Sequence, residues 1–179
     1  METIELYGKV FELYLTYEQI DKAIRDMAAK IAKDMEGKDP LYVCVMNGAF
    51  MFASELLGYI GGDCEVAFAR YSSYQGTQST YNLKEIMPVT TPLQGRTVVI
   101  LEDLIDTGYT MSCVKDLYYK QGATEVFIAT MLSKPAALKC AVKSDYVGIE
   151  IANDFIVGHG LDFDERGRML RDIYKIRES

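Results

Sequence analysis

The sequence predicts an α/β fold, and three observations carry that prediction. The run Thr97-Val98-Val99-Ile100-Leu101 is apolar almost throughout, as a parallel strand buried between helices must be. A helical segment from Thr110 to about Gln121 and a second apolar run from Glu125 to Leu132 follow it and complete a strand-helix-strand unit. Nearer the N-terminus, Ile20, Ala23, Ile24, Met27, Ala28, Ile31, Ala32 and Met35 recur at helical spacing, and Thr16 with Gln19 is placed to form a capping box.

That first helix stops near Gly37-Lys38-Asp39-Pro40, and Leu41-Tyr42-Val43-Cys44-Val45-Met46 then begins a buried strand. Gly48 leads into Ala49 to Leu57, an apolar stretch that suits a helix packed on a sheet before the turn residues Gly61 and Gly62. A strand is expected from Glu65 to Arg70. Ser72 to Asn82 is polar and rich in Ser, Thr, Gln and Tyr, so it is expected to be a loop, long enough to serve as a lid. A short strand at Leu83 to Met87, a turn at Pro92 to Arg96, and β-rich pieces at Tyr146 to Ile151 and Phe155 to Val157 complete the pattern. No repeat, charge block or low-complexity tract divides the 179 residues, which suit a single domain at 1–179.

The net charge of -7 argues against nonspecific nucleic-acid binding and favours small-molecule chemistry. No run of about 18 apolar residues is present, so no membrane association is expected. Met1-Glu2-Thr3-Ile4-Glu5 lacks the basic start and apolar core of a secretory signal, so a cytoplasmic protein is expected. Cys44, Cys64, Cys113 and Cys140 are far apart and read as buried thiols. His159 is the only histidine, which excludes a multi-histidine zinc site, and any metal should be held mainly by oxygen.

The densest chemistry lies at Leu101-Glu102-Asp103-Leu104-Ile105-Asp106-Thr107-Gly108-Tyr109-Thr110. Open α/β sheets bind ligands just outside the carboxyl ends of their parallel strands, and this segment leaves such a strand and enters a helix. The helix N-terminus can hold a phosphate, Thr107 and Thr110 add hydroxyls, and Gly108 permits close backbone approach. Glu102 and Asp103 would repel a phosphate beside them but suit a ribose diol. A plainer reading makes these acids strand-end charges and Asp106 a helix cap. Three acids within five residues at the end of a buried strand are costly without a ligand, a metal or solvent, which favours the sugar-phosphate reading.

Val98 to Thr110 resembles the phosphoribosyl-pyrophosphate motif of the type I phosphoribosyltransferases, and the similarity extends over nearly the whole chain. Met46-Asn47-Gly48-Ala49-Phe50-Met51-Phe52 is similar to the family's pyrophosphate loop and following helix, and Ser72-Ser73-Tyr74 to the start of its mobile loop. Lys134-Pro135 and Asn153 to Asp162, with Arg168 beyond, resemble the purine- and pyrophosphate-binding segments of the hypoxanthine-guanine branch. The resemblance implies a mostly parallel sheet flanked by helices, with a small hood formed mainly by about 133–179 and the N-terminal residues.

It also implies roles. Glu102 and Asp103 would hold the ribose hydroxyls with Mg2+, and Asp162 a second Mg2+. Asp106, Thr107, Gly108, Tyr109 and Thr110 would wrap the 5-phosphate, with Asp106 also near purine N7, as catalyst or as positioning group. Lys134 would donate to the 6-oxo group, Phe155 would stack on the base, and the backbone of Ile156 would meet its edge. Asn47, Gly48 and Arg168 would hold pyrophosphate, and Ser73 and Tyr74 would close over the reacting centre. Two residues depart from the family pattern: Asn47 stands where many relatives carry lysine or arginine, and His159 where tyrosine is usual, which suggests a structural role for His159. The substrates implied are phosphoribosyl pyrophosphate and a 6-oxopurine base, in a homodimer or homotetramer. A donor-binding regulator and a transferase for orotate, uracil or adenine are the competing readings, and Lys134 with Phe155 and Asp162 is the feature that separates them.

Overall fold

A computed structural model of the chain describes residues 2–75 and 81–177, without the side chains of 73–75 and 81–82. The chain runs β1 (Thr3–Leu6), β2 (Lys9–Leu15), α1 (Tyr17–Asp34), β3 (Leu41–Val45), α2 (Phe50–Ile60), β4 (Glu65–Gln75), β5 (Tyr81–Met87) and β6 (Thr97–Ile105). It continues through α3 (Tyr109–Lys120), β7 (Glu125–Ser133), β8 (Tyr146–Glu150), β9 (Ile156–Val157) and β10 (Ile173–Ile176). Six strands form one sheet in the order β5-β4-β3-β6-β7-β8, parallel except for β5. The other four form a small antiparallel sheet, β1-β2-β10-β9.

The alternation of strand side chains explains the layering. Tyr42, Cys44, Val99 and Leu101 face α1 and α2 in one core, while Leu41, Val43, Val98 and Ile100 face α3 in a second core. Both faces of β3 and of β6 as far as Leu101 are therefore buried, and Leu41–Val45 and Val98–Leu101 are apolar without interruption. The capping box forms as expected, with the Gln19 amide donating to the Thr16 hydroxyl and the Thr16 amide to Gln19 Oε1.

Two expectations need correction. Most of the polar segment from Ser72 to Asn82 is strand: β4 runs on to Gln75 and β5 begins at Tyr81, with Ser73 opposite Leu83 and Tyr74 opposite Asn82. Ladder bonds come from the backbone, so a polar sequence can form them when a second strand returns alongside. Residues 76–80 lie outside the described part. The cysteines are all free, but only Cys44 is buried; Cys64, Cys113 and Cys140 are half-buried.

The small sheet was not foreseen at its N-terminal end. Its first hairpin turns on Tyr7-Gly8, with φ of 49° and 75°, the two positive values that a tight primed turn requires. Gly8 supplies one of them without strain, whereas Tyr7 gives no sequence signal for it.

Candidate active site

The larger sheet contains a notch that makes the site. Pairing of β3 with β6 ends at Cys44 opposite Leu101, but β6 and β7 remain paired to Ile105 opposite Ser133. Glu102 and Asp103 therefore belong to β6 itself, which continues four residues past the end of its apolar run at Leu101. Beyond Leu101 they have a neighbouring strand on one side only, and the chain leaving β3 turns across the open side at Met46 to Ala49.

A cavity of about 260 Å³ occupies this notch, lined by Gly48, Glu102, Asp103, Asp106, Thr107, Gly108 and Thr110, with Tyr71 and apolar neighbours. Larger hollows lie between α1 and β8, about 370 Å³, and between β1 and residues 165–170, about 500 Å³. Neither gathers acids at a strand end and a helix N-terminus together, so the smaller cavity is the stronger candidate. Gly108 caps α3 at φ 83°, a conformation glycine adopts without penalty, and its packing against Val142, Cys140 and Leu138 leaves no room for a β-carbon. Gly48 is equally constrained, because a β-carbon there would overlap the Asp103 carboxylate.

Electrostatics single out the two acids. Burial pushes the Glu102 carboxyl well above its usual range, and the charge of Asp103 beside it adds to the shift. Asp103 is also raised by burial, while hydrogen bonds and the Arg168 guanidinium pull it back. Glu102 Oε1 accepts from the Asp103 amide at 3.1 Å, and Asp103 Oδ1 from the Leu104 amide at 2.7 Å.

The other predicted residues with described side chains lie outside the cavity wall, and Lys134 contacts it through Asp106. Lys134, at the end of β7 and only 7% exposed, puts Nζ 3.4 Å from Asp106 Oδ2, and its amide donates to the Ile105 carbonyl at 2.9 Å. Arg168 pairs with Asp162 at 3.0 Å and Glu165 at 2.9 Å, and donates to the Gly160 carbonyl at 2.9 Å. Phe155 is 45% exposed; it meets Phe163 edge-on and Phe11 at a tilt. Asn47, Tyr109 and Ile156, like Lys134, Phe155, Asp162 and Arg168, are not in the cavity wall. The side chains of Ser73 and Tyr74 fall outside the described part. Two participants were missed by sequence reasoning: Tyr71, in the wall and bonded to Tyr118 at 2.8 Å, and Glu165, which steadies Arg168.

The phosphoribosyl transferase domain family matches residues 14–164. The chain belongs to this family. A hypoxanthine-guanine phosphoribosyltransferase of Streptococcus agalactiae is 38% identical over 174 residues, 97% of each chain, and that of Streptococcus thermophilus is 37% identical over 168 residues, 93% of each. A crystal structure of a hypoxanthine phosphoribosyltransferase from Staphylococcus aureus matches with a TM-score of 0.88 and 32% identity, covering 93% of this chain and 91% of its own. These matches place the chain in the hypoxanthine-guanine branch, with the type I fold.

A phosphoribosyltransferase of this branch is expected to use Mg2+, and the residues present fit that ion. Two adjacent carboxylates, buried Glu102 and half-buried Asp103, both held above their usual range by desolvation, are the donor set a divalent cation would stabilise. No three Asp, Glu, His or Cys side chains converge among the described residues, so donor oxygens and water would complete the coordination.

The buried acids also bear on stability. A carboxyl with a raised folded-state pKa binds its proton more tightly folded than unfolded, so its stabilising contribution is present at low pH and lost as pH rises through the raised value. In chelator, Glu102→Gln should therefore melt higher than wild type, with the gap widening from mildly acidic to neutral pH. Thermal melts across that range check this, and a gap that narrows would contradict it.

Proposed function

We propose that the protein transfers a 5-phosphoribosyl group from phosphoribosyl pyrophosphate to N9 of hypoxanthine or guanine, as a Mg2+-dependent purine salvage enzyme of the cytoplasm working as a homodimer or homotetramer. The observation that carries this is the notch beside Glu102 to Thr110, where an acid pair, a phosphate turn and a lysine from the next strand meet.

In this reading Glu102 and Asp103 orient the ribose diol, and the turn from Thr107 to Thr110 fixes the 5-phosphate. The anomeric carbon is thereby held for attack by N9. Magnesium, when bound, supplies positive charge to the departing pyrophosphate. Arg168 adds to that charge, and Asp162 and Glu165 hold its guanidinium in place. Lys134 donates to the 6-oxo group, and the half-exposed Phe155 ring stacks on the base. Asp106, exposed at the cavity edge, takes or holds the N7 proton as charge develops on the base.

Asp106→Asn should lower kcat by about 100-fold with little change in donor KM, the range expected for loss of a proton-transfer group; a full-rate variant removes that role. For the function itself, enzyme incubated with donor, MgCl2 and hypoxanthine or guanine should give nucleoside monophosphate and pyrophosphate in equal amounts, and chelator should stop it. Failure with both bases would leave a donor-binding regulator as the better reading.

A further inference from the structure

His159 lies 0% exposed in a two-residue turn closed by Gly158 and Leu161, with φ 47° at His159 and 99° at Gly160. A left-handed conformation at a residue with a β-carbon persists only where its surroundings over-determine it. Here the surroundings tie the turn to the 46–49 loop and to the 168–170 segment. Gly160 sits against the Gly48 carbonyl so closely that a β-carbon would overlap it. The Gly160 amide donates to the Arg168 carbonyl at 2.9 Å, and the His159 amide to Leu170 at 2.7 Å. The Gly160 carbonyl in turn accepts from Arg168 Nη1. Arg168 is thus aimed by this turn, and the turn rests on the 46–49 loop.

The imidazole supplies the remaining contact. Nδ1 lies 3.2 Å from the Arg171 carbonyl, which can only accept, so Nδ1 carries a hydrogen. Nε2 faces Glu55 Oε2, on α2, at 3.3 Å. Among the described residues these two are the buried side-chain polar atoms without a hydrogen-bond partner, and they face each other. Two orphans separated by that distance need a single proton between them, and burying both unpaired would be costly.

We propose that Glu55 and His159 are a positioning pair that shares one proton between Oε2 and Nε2, fixing the 158–161 turn to α2 and thereby the aim of Arg168 at pyrophosphate. The pair touches no substrate, and its effect rests on the reading of Arg168 given above. Burial lowers the His159 pKa and raises that of Glu55, which favours neutral imidazole accepting from a protonated carboxyl. The groups around the pair are Tyr17, whose hydroxyl donates to Glu55 Oε1 at 3.4 Å, Asp21 on α1, and Arg171, whose guanidinium lies 3.8 Å from the centre of the Tyr17 ring and disfavours imidazolium.

Because His159 is the only histidine, its ring nitrogens can be read directly by 15N NMR of the intact protein. The neutral Nδ1-H tautomer is expected at pH 7, with no titration near the ordinary value of about 6.5. In kinetics, Glu55→Leu should raise the KM for phosphoribosyl pyrophosphate about tenfold, leaving kcat and the hypoxanthine KM within about twofold, and Glu55→Gln, whose amide can still donate to Nε2, should restore it. An Nε2-H tautomer, a solvent-like titration, an unchanged donor KM in Glu55→Leu, or a Gln variant as impaired as Leu would each overturn the proposal. Should Glu55→Leu fail to fold, the NMR of the wild type and of Glu55→Gln still decides it. Arg168→Ala separates the two readings: an unchanged donor KM there removes Arg168 from pyrophosphate binding, whereas a raised KM there with none in Glu55→Leu removes only the pair.

Discussion

Gly48→Ala should lower kcat/KM for phosphoribosyl pyrophosphate by about 100-fold or more while leaving a folded protein, because a misplacement of about 1 Å in a positioning group is enough for such a loss. The added β-carbon would occupy the place of the Asp103 carboxylate. That carboxylate is anchored to the Leu104 amide at 2.7 Å, and its strand is paired with β7 on both sides of it, at Glu102 and Leu104. Either Asp103 gives way or the 46–49 loop retreats and takes Gly160 with it, and both outcomes disturb the donor rather than the core. Steady-state kinetics with donor as the varied substrate, beside a thermal melt, checks this. A variant with normal donor kinetics would remove Asp103 from donor binding.

Lys134→Met should reduce kcat/KM for hypoxanthine and guanine by about 10- to 150-fold, the range corresponding to the 1.5–3 kcal/mol of a hydrogen bond to a charged group. Methionine keeps most of the length and apolar contact, so packing is largely preserved while the donor is lost. The side chain is 7% exposed, against 48% for its partner Asp106, which places the ammonium on the buried side of the pair. The donor KM should change little, since Lys134 lies outside the wall of the acid cavity. Equal losses for donor and base would show that the lysine organises the whole site rather than the purine end.

The central sheet was legible because its strands are buried on both faces, so β3, β6 and β7 announce themselves as apolar runs. The donor site was legible for a related reason: Glu102, Asp103 and Asp106 interrupt such a run where a globular core has no use for charge. Less legible were elements whose stability comes from partners distant in sequence. β2 pairs with β10 across the length of the chain, and Ser73 and Tyr74 are strand because β5 returns beside them. Local patterning carries neither fact. Glu55 and His159, 104 positions apart, have no sequence signature as a pair.

The ratio of kcat/KM for hypoxanthine to that for adenine, measured on the wild-type enzyme with saturating donor and magnesium, reads the 6-oxopurine selectivity of the site. An ammonium donates only, and a site built to hydrogen-bond one group can reject an analogue lacking it by on the order of 10⁴-fold. The expected ratio approaches that size, with guanine close to hypoxanthine. Comparable rates with adenine, or transfer to uracil in preference to either 6-oxopurine, would contradict it.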